Sequence, residues 1–326
     1  MKPSYLKLYQ SKELLDRVNS AQKLLNECRC CPRNCLVDRI NNELGFCLSG
    51  NLPIVSSYTL HFGEEPVISG TKGTGNIFFG NCNLRCIFCQ NFEISQNREY
   101  EKKNEISIEG LADIMIELQD KKCHNIGVVS PTHFSAQILN SIYLAVEKGL
   151  TIPLIYNTNG YDSVEMIKLY KDVIDIYLPD FKYGSNAYAN QFSKVKDYFN
   201  NAKSAIKEMF NQVGDELVYD GNVITRGLII RHLVLPNDLS ETEEIFKFVS
   251  EELSPKVHIS LMSQYFPTHK ANSEILLNRT IRVSEYERAI DLLEKYKLKN
   301  GWIQEMESTH SYRPEFNKDR INPFNN

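Results

Sequence analysis

Short apolar runs alternate along most of the chain with stretches whose apolar residues recur every three or four positions. The runs are NIFF at 76–79, NIGVVS at 125–130, IPLIYN at 152–157, VIDIYLP at 173–179, RGLIIRHLVLP at 226–236 and KVHISLM at 256–262. Runs of this length, flanked by helical periodicity, predict buried parallel strands joined by crossover helices. The helices are expected in SIEGLADIMIELQDK, FSAQILNSIYLAVEKG, DSVEMIKLYKD, ETEEIFKFVSEEL and SEYERAIDLLEKYKL, with Ser107 capping the first. NAYANQFSKVKDYFNNAKSAIKEMFNQVG reads as one long helix or two shorter ones. The result is an α/β fold of six strand–helix units, preceded by one or two helices in residues 4–27.

Polar residues stand at or just beyond the strand ends: Ser130, Thr132, His133, Asn157, Asn159, Asp180, Lys182, His232 and Gln264. In a barrel-like α/β protein those ends line the active face. Arg231 and His232 are neighbours on one strand, so only one of them faces inward. Asn159-Gly160 also reads as a turn, and Asp180 with Lys182 as a surface ion pair. GTGNIFF lacks the lysine and hydroxyl residue of a phosphate loop, so Gly73 and Gly75 read as points of close backbone approach beside the cysteine loop.

Composition changes this picture at one place. The 326 residues are 42% hydrophobic and 24% charged, with net charge -4, as in an ordinary folded protein. Slight acidity gives no reason to expect nucleic acid as a partner, and no apolar run approaches the roughly 20 residues of a membrane span. The first residues carry no continuous apolar segment and do not read as a signal peptide, so a cytoplasmic location is expected. Eight of the nine cysteines, however, fall between Cys28 and Cys89. Such clustering points to metal or iron–sulfur ligation, not to disulfides spread through a secreted scaffold.

GNCNLRCIFCQN (80–91) holds three of them, Cys82, Cys86 and Cys89. Three thiolates can hold a four-iron cubane whose fourth iron stays open. A zinc ion completed by a remote histidine is the other reading of the spacing alone. The motif, with Phe88 as its aromatic and its place after the first strand, resembles the signature of the radical S-adenosylmethionine (SAM) superfamily. The segments GEEPVISGTKGTGNIFFGNCNLRCIFCQN, SPTH, IPLIYNTNGYD, DIYLPDFKY, EMFNQVG, RGLIIRHLVLP and SQYFPTHK resemble, within it, the branch related to pyruvate formate-lyase activating enzyme.

The resemblance implies a partial (β/α)6 TIM-like barrel. It also implies a [4Fe-4S] cluster on Cys82, Cys86 and Cys89, with SAM on the open iron. Reductive cleavage of SAM would yield a 5'-deoxyadenosyl radical that abstracts hydrogen from a protein or peptide, as in glycyl-radical activation. A small-molecule substrate is the alternative, and a non-catalytic iron–sulfur or zinc protein a third reading. Reduced flavodoxin or ferredoxin would be the electron donor. The Gly-Gly-Glu segment of activating enzymes is missing here, and Ser130, Thr132 and His133 occupy its place. Asn157 and Asn159 match the Thr-Asn-Gly region near SAM, and Asp180 and Lys182 match an Asp-x-Lys. His232 matches a histidine near SAM, and this favours it over Arg231 as the inward residue. Gln264 and Tyr265 close the pocket.

The second group, CRCCPRNCLVDRINNELGFC, places Cys28, Cys31, Cys35 and Cys47 as a four-ligand set for zinc or an auxiliary iron–sulfur cluster, with Cys30 extra. Free thiols, or a disulfide pair formed on oxidation, are the other possibility. Cys123 reads as an ordinary buried cysteine. The expected division is a helix and cysteine-rich module at 1–72, the barrel at 73–305 and a C-terminal tail at 306–326, its asparagine-rich end poorly ordered or on the surface.

Overall fold

The six apolar runs form the middle of one nine-stranded sheet. The structure, a computed structural model, describes residues 2–306 and 314–324. Its strands are β1 (Val55–His61), β2 (Thr74–Phe79), β3 (Asn125–Val129), β4 (Leu154–Thr158), β5 (Ile176–Pro179), β6 (Val218–Asp220), β7 (Val223–Leu233), β8 (His258–Met262) and β9 (Gly301–Ile303). They lie in the order β1-β2-β3-β4-β5-β7-β8-β9, with β6 paired to β7. From β2 to β9 along that path every pairing is parallel. β1 and β6 pair antiparallel with β2 and β7. A mixed, mostly parallel sheet with crossover helices is consistent with a partial TIM-like barrel. Every residue of β2, β3, β4 and β5 is buried. This is why those segments read as continuous apolar runs and show no alternation.

The helices stand where the periodicity places them. Ser107 caps Ile108–Asp120 by accepting from the Gly110 amide at 3.0 Å. The long polar–apolar stretch after β5 is two helices, Asn186–Ser193 and Tyr198–Val213. They are separated by Lys194 and Asp197, both at positive φ. The first helices, Tyr5–Gln10 and Glu13–Lys23, pack on the helix layer. Tyr5 donates to Ile152 O at 2.8 Å and the Tyr9 ring lies 5.4 Å from that of Tyr143.

Three findings differ from the sequence reading. Val55–His61, inside the range read as a cysteine-rich module, joins the barrel sheet as β1. Gly73 and Gly75 lie at the start of β2, whereas the three cysteines follow its end. A Cβ at Gly75 would stand 3.0 Å from Cys123 Sγ and Leu118 Cβ, so its close approach serves packing on Ile108–Asp120 and not the cysteine loop. The C-terminal residues 314–324 are docked: Phe316 is buried, Phe324 packs on His61 and Phe78, and Arg320 pairs with the fully buried Glu101 at 2.7 Å.

Candidate active site

Parallel strands bring their C-terminal ends to one side, and there a cavity of about 220 Å³ opens. Cys82, Cys86 and Cys89 line it, together with Ser130 after β3, Asn157 and Asn159 at the end of β4, Asp180 and Lys182 after β5, and Gln264 after β8. Nine of the residues singled out from the sequence thus share one wall or another of a single space.

The loop Gly80–Cys89 has no regular structure; backbone bonds from the Asn81 amide to Ile94 O, the Arg85 amide to Ser193 O and the Ile87 amide to Phe192 O anchor it, and side chains add to them. Gly80 has no room for a side chain: a Cβ would fall 2.5 Å from Ile54 Cγ2. Its carbonyl accepts from His133 Nε2 at 2.8 Å. Each cysteine sulfur has a hydrogen-bond neighbour. The Leu84 amide donates to Cys82 Sγ at 3.4 Å, the Ser193 hydroxyl donates to Cys86 Sγ at 3.0 Å, and Ser95 Oγ lies 3.2 Å from Cys89 Sγ. Burial pushes all three thiols up, Cys86 to about 12. Asn159 shapes its turn, accepting from the Tyr161 amide at 3.0 Å ahead of Gly160 at φ +81°. It also donates to Asn83 Oδ1 at 2.7 Å and to Cys82 Sγ at 3.6 Å.

Lys182 pairs with Asp180 at 2.5 Å. Burial works against the ammonium, but the Asp180 charge and the nearby Cys86 hold its pKa above the usual value. On another wall Arg231 donates to Glu64 Oε2 at 2.8 Å and to Glu65 Oε1 at 3.0 Å, and Asn76 donates to Glu64 Oε1 at 2.8 Å. Burial alone would raise the Glu64 carboxyl; Arg231 beside it brings it below the usual range.

His232 is corrected by this arrangement. Arg231 and Leu233 line the cavity, and His232 turns to the opposite face, fully buried. Its ring bridges Phe181 O at 2.8 Å and Thr242 Oγ1 at 2.9 Å, and burial lowers its pKa to about 4. The carboxylates of Glu64 and Glu65 draw Arg231 inward. Thr132 is likewise outside the lining: it donates to Asp162 Oδ1 at 2.8 Å, where Thr158 and Tyr156 also donate to a carboxylate whose pKa burial raises. Tyr265 is buried behind Phe88, its hydroxyl donating to Leu277 O at 2.6 Å. Sequence reading missed His61, Glu64, Pro314 and Phe324, which also line the cavity. The adjacent acids in GEEP were the one available signal.

The N-terminal cysteines Cys28, Cys30, Cys31, Cys35 and Cys47 line a second, small cavity with Arg39 and His133. All nine cysteines are free. The Cys28 thiol is lowered to about 5 by its hydrogen bond with Cys30 and by Arg39, while Cys30 keeps the proton. Among the described residues no group of three or more His, Cys, Asp or Glu side chains stands in an arrangement that could hold a metal ion. That bears on a single zinc, whose ligands crowd one centre. In a four-iron cluster each thiolate bonds a different iron, so its sulfurs stand farther apart. Three cysteines around one cavity, each with a hydrogen-bond neighbour at its sulfur, fit the cluster's donor set.

The model of the Radical SAM superfamily matches residues 76–249, more than half of the chain. The chain belongs to the radical SAM superfamily. This radical SAM protein is similar to the uncharacterized protein MJ0674 of Methanocaldococcus jannaschii, with 36% identity over 301 residues, 89% of this chain and 81% of that one. It is also similar to the uncharacterized protein MJ0808 of the same organism, at 27% identity over 157 residues, 43% and 45% of the two chains. Two solved structures resemble it at 12% identity. TYW1 with a lysine-pyruvate adduct bound has a TM-score of 0.44 over 72% of this chain and 78% of that one. HydG, a maturase of the [FeFe]-hydrogenase, has a TM-score of 0.45 over 91% and 64%. Radical SAM membership makes the protein an enzyme of oxidoreductase-like chemistry that uses SAM and an iron–sulfur centre. No helix among the described residues is long and apolar enough to cross a membrane.

Proposed function

We propose that this radical SAM enzyme holds a [4Fe-4S] cluster on Cys82, Cys86 and Cys89 and cleaves SAM to start hydrogen-atom abstraction. The observation that carries the reading is the single cavity shared by those cysteines and the polar strand ends. When bound, the cluster and SAM supply one-electron cleavage of the sulfonium; the protein supplies binding, orientation and exclusion of water. Lys182 holds the SAM carboxylate, with Asp180 keeping the ammonium in place. Asn157 and Ser130 offer side-chain hydrogen bonds to the amino acid and ribose parts, and Asn159 orients Cys82. Reduced flavodoxin or ferredoxin provides the electron.

The substrate reading has two versions. Resemblance to the activating-enzyme branch favours a protein or peptide, with glycyl-radical formation the sharpest form. The docked C-terminal segment favours a small molecule, because Pro314 and Phe324 form part of the cavity wall and take up space a bulky chain would need. A glycyl radical detected on a partner by electron paramagnetic resonance (EPR) selects the first. Anaerobic reconstitution with reductant and SAM tests both: 5'-deoxyadenosine is the expected product, and none from a fully loaded cluster refutes the reading.

The absence of a crowded ligand set among the described residues disfavours zinc at Cys28, Cys31, Cys35 and Cys47, and a second, iron–sulfur group on them belongs to the same proposal. It is supported by Arg39, a fully buried guanidinium whose bonds go to Gly50 O and His133 O, with no carboxylate among its described partners. A buried cation needs a counter-charge, and cysteines line the cavity beside it, of which Cys28 is the one shifted toward the thiolate. Metal analysis of a Cys82/Cys86/Cys89 triple alanine variant should still find about one metal site per chain; a metal-free protein would refute it.

A further inference from the structure

The two cysteine sites are tied together by side chains that neither site uses as ligands. Four of the six residues from Gly80 to Arg85 bond to the N-terminal cysteine segment or to a residue lining its cavity. Arg33, between Cys31 and Cys35, donates through Nε to Asn83 O at 2.6 Å and through Nη2 to Lys194 O at 2.7 Å. Arg85, between Cys82 and Cys86, donates through Nη2 to Phe46 O at 2.7 Å, beside Cys47. Its Nη1 turns back to Leu84 O at 2.8 Å and Cys82 O at 2.5 Å. Asn81 donates to Leu48 O at 3.1 Å. Both guanidinium groups face the Phe46 ring, Arg33 at 3.3 Å and Arg85 at 4.8 Å from its centroid. On the far side Arg39 donates to His133 O, and His133 Nε2 donates to Gly80 O.

We propose that the N-terminal cysteine module is a positioning element of the three-cysteine loop, with Arg33, Phe46 and Arg85 as its clamp. The loop has no ladder or helix of its own, and beside its backbone bonds to Ile54, Ile94, Phe192 and Ser193 it relies on such partners; bonds from guanidinium groups are among the stronger ones. Every clamp residue sits within two positions of an N-terminal or loop cysteine. A change at Cys28, Cys31, Cys35 or Cys47 is therefore passed to Cys82, Cys86 and Cys89 through a short chain of contacts. The proposal rests on the radical SAM reading for what the loop holds; the clamp itself is a property of the chain.

The test is amide hydrogen exchange on the anaerobically purified full-length protein, followed by EPR of the reduced cluster with and without SAM. Arg33→Gln, Arg85→Gln and Cys31→Ser should each raise exchange across residues 80–89 on the order of ten-fold, the scale of one lost hydrogen bond to a charged group. Exchange in β3 and β4 should stay at the wild-type rate. The EPR signal of the SAM-bound cluster should shift, and Arg85→Lys, which keeps a cation and a donor, should bring it partly back. Phe46→Leu serves where an arginine variant fails to fold. Folded variants with wild-type exchange at 80–89 and an unchanged EPR signal would overturn the proposal. So would a Cys31→Ser protein that loosens only residues 28–50. A wild-type protein that loads iron yet never cleaves SAM would refute the radical SAM reading and leave the exchange result to judge the clamp.

Discussion

Asn159 Nδ2 donates to Cys82 Sγ at 3.6 Å across 77 residues of sequence. The same side chain closes its own turn and holds Asn83. Hydrogen bonds to cluster sulfurs raise the reduction potential by stabilising the more negative, reduced state. Asn159→Ala should therefore lower the cluster potential by some tens of millivolts, about the scale of one weak hydrogen bond. Iron content should stay at the wild-type level. A redox titration followed by EPR checks this; an unchanged potential would mean the contact does not persist in the loaded enzyme.

Lys182 and Asp180 form the cavity's short ion pair. Lys182→Met should weaken SAM binding by about ten-fold or more, the usual loss for a hydrogen bond between charged groups. Equilibrium dialysis of SAM against the cluster-loaded variant measures it. Arg231→Met should leave SAM affinity near wild type, because its carboxylate partners are Glu64 and Glu65.

Asp175 predicts a pH dependence of stability. It accepts from the Ser4 amide at 3.3 Å and the Leu154 amide at 3.4 Å, tying the N-terminus to the barrel. Burial raises its pKa to about 6. The folded state thus holds this proton more tightly than the unfolded chain. The associated stability is fully present below about pH 4 and is lost as pH rises through about 6. Asp175→Asn should gain stability relative to wild type as pH goes from 4 to 8, by ~3 kcal/mol at most. Paired thermal melts across that range would show the gap widening; a constant gap contradicts it.

Truncation tests the role of the C-terminal segment. A chain ending at residue 313 exposes the faces of His61 and Phe78 now covered by Phe324 and Phe316. It should keep its cluster while SAM cleavage without substrate rises, since the reductant and solution hydrogen-atom donors gain access to the cavity. High-performance liquid chromatography of 5'-deoxyadenosine measures the change; a fall together with lost iron would make the segment part of the fold's core.

These residues also show what could be read in the chain beforehand. The six central strands and the cysteine loop were legible because buried parallel strands and short ligand spacings leave local patterns. The facing of β7 was not. Period two required that only one of Arg231 and His232 point inward, but the choice depends on Glu64 and Glu65, about 165 positions away. Thr132 was misplaced for a similar reason: its partner Asp162 lies on another strand's loop. The tail's composition suggested a poorly ordered or surface segment; Asn317, Lys318, Asp319 and Ile321 are exposed, while Phe316, Arg320 and Phe324 each find a partner made elsewhere in the chain. Local pattern predicts elements, whereas these contacts arise only once the elements are assembled.

The central claim is that three cysteines and one cavity make a SAM-cleaving centre. Anaerobic reconstitution of wild type and of Cys86→Ala, with dithionite and SAM, tests it most directly. Wild type should form 5'-deoxyadenosine and the variant should form none while remaining folded. Equal product from both proteins, or none from wild type with its full complement of iron, would contradict the account.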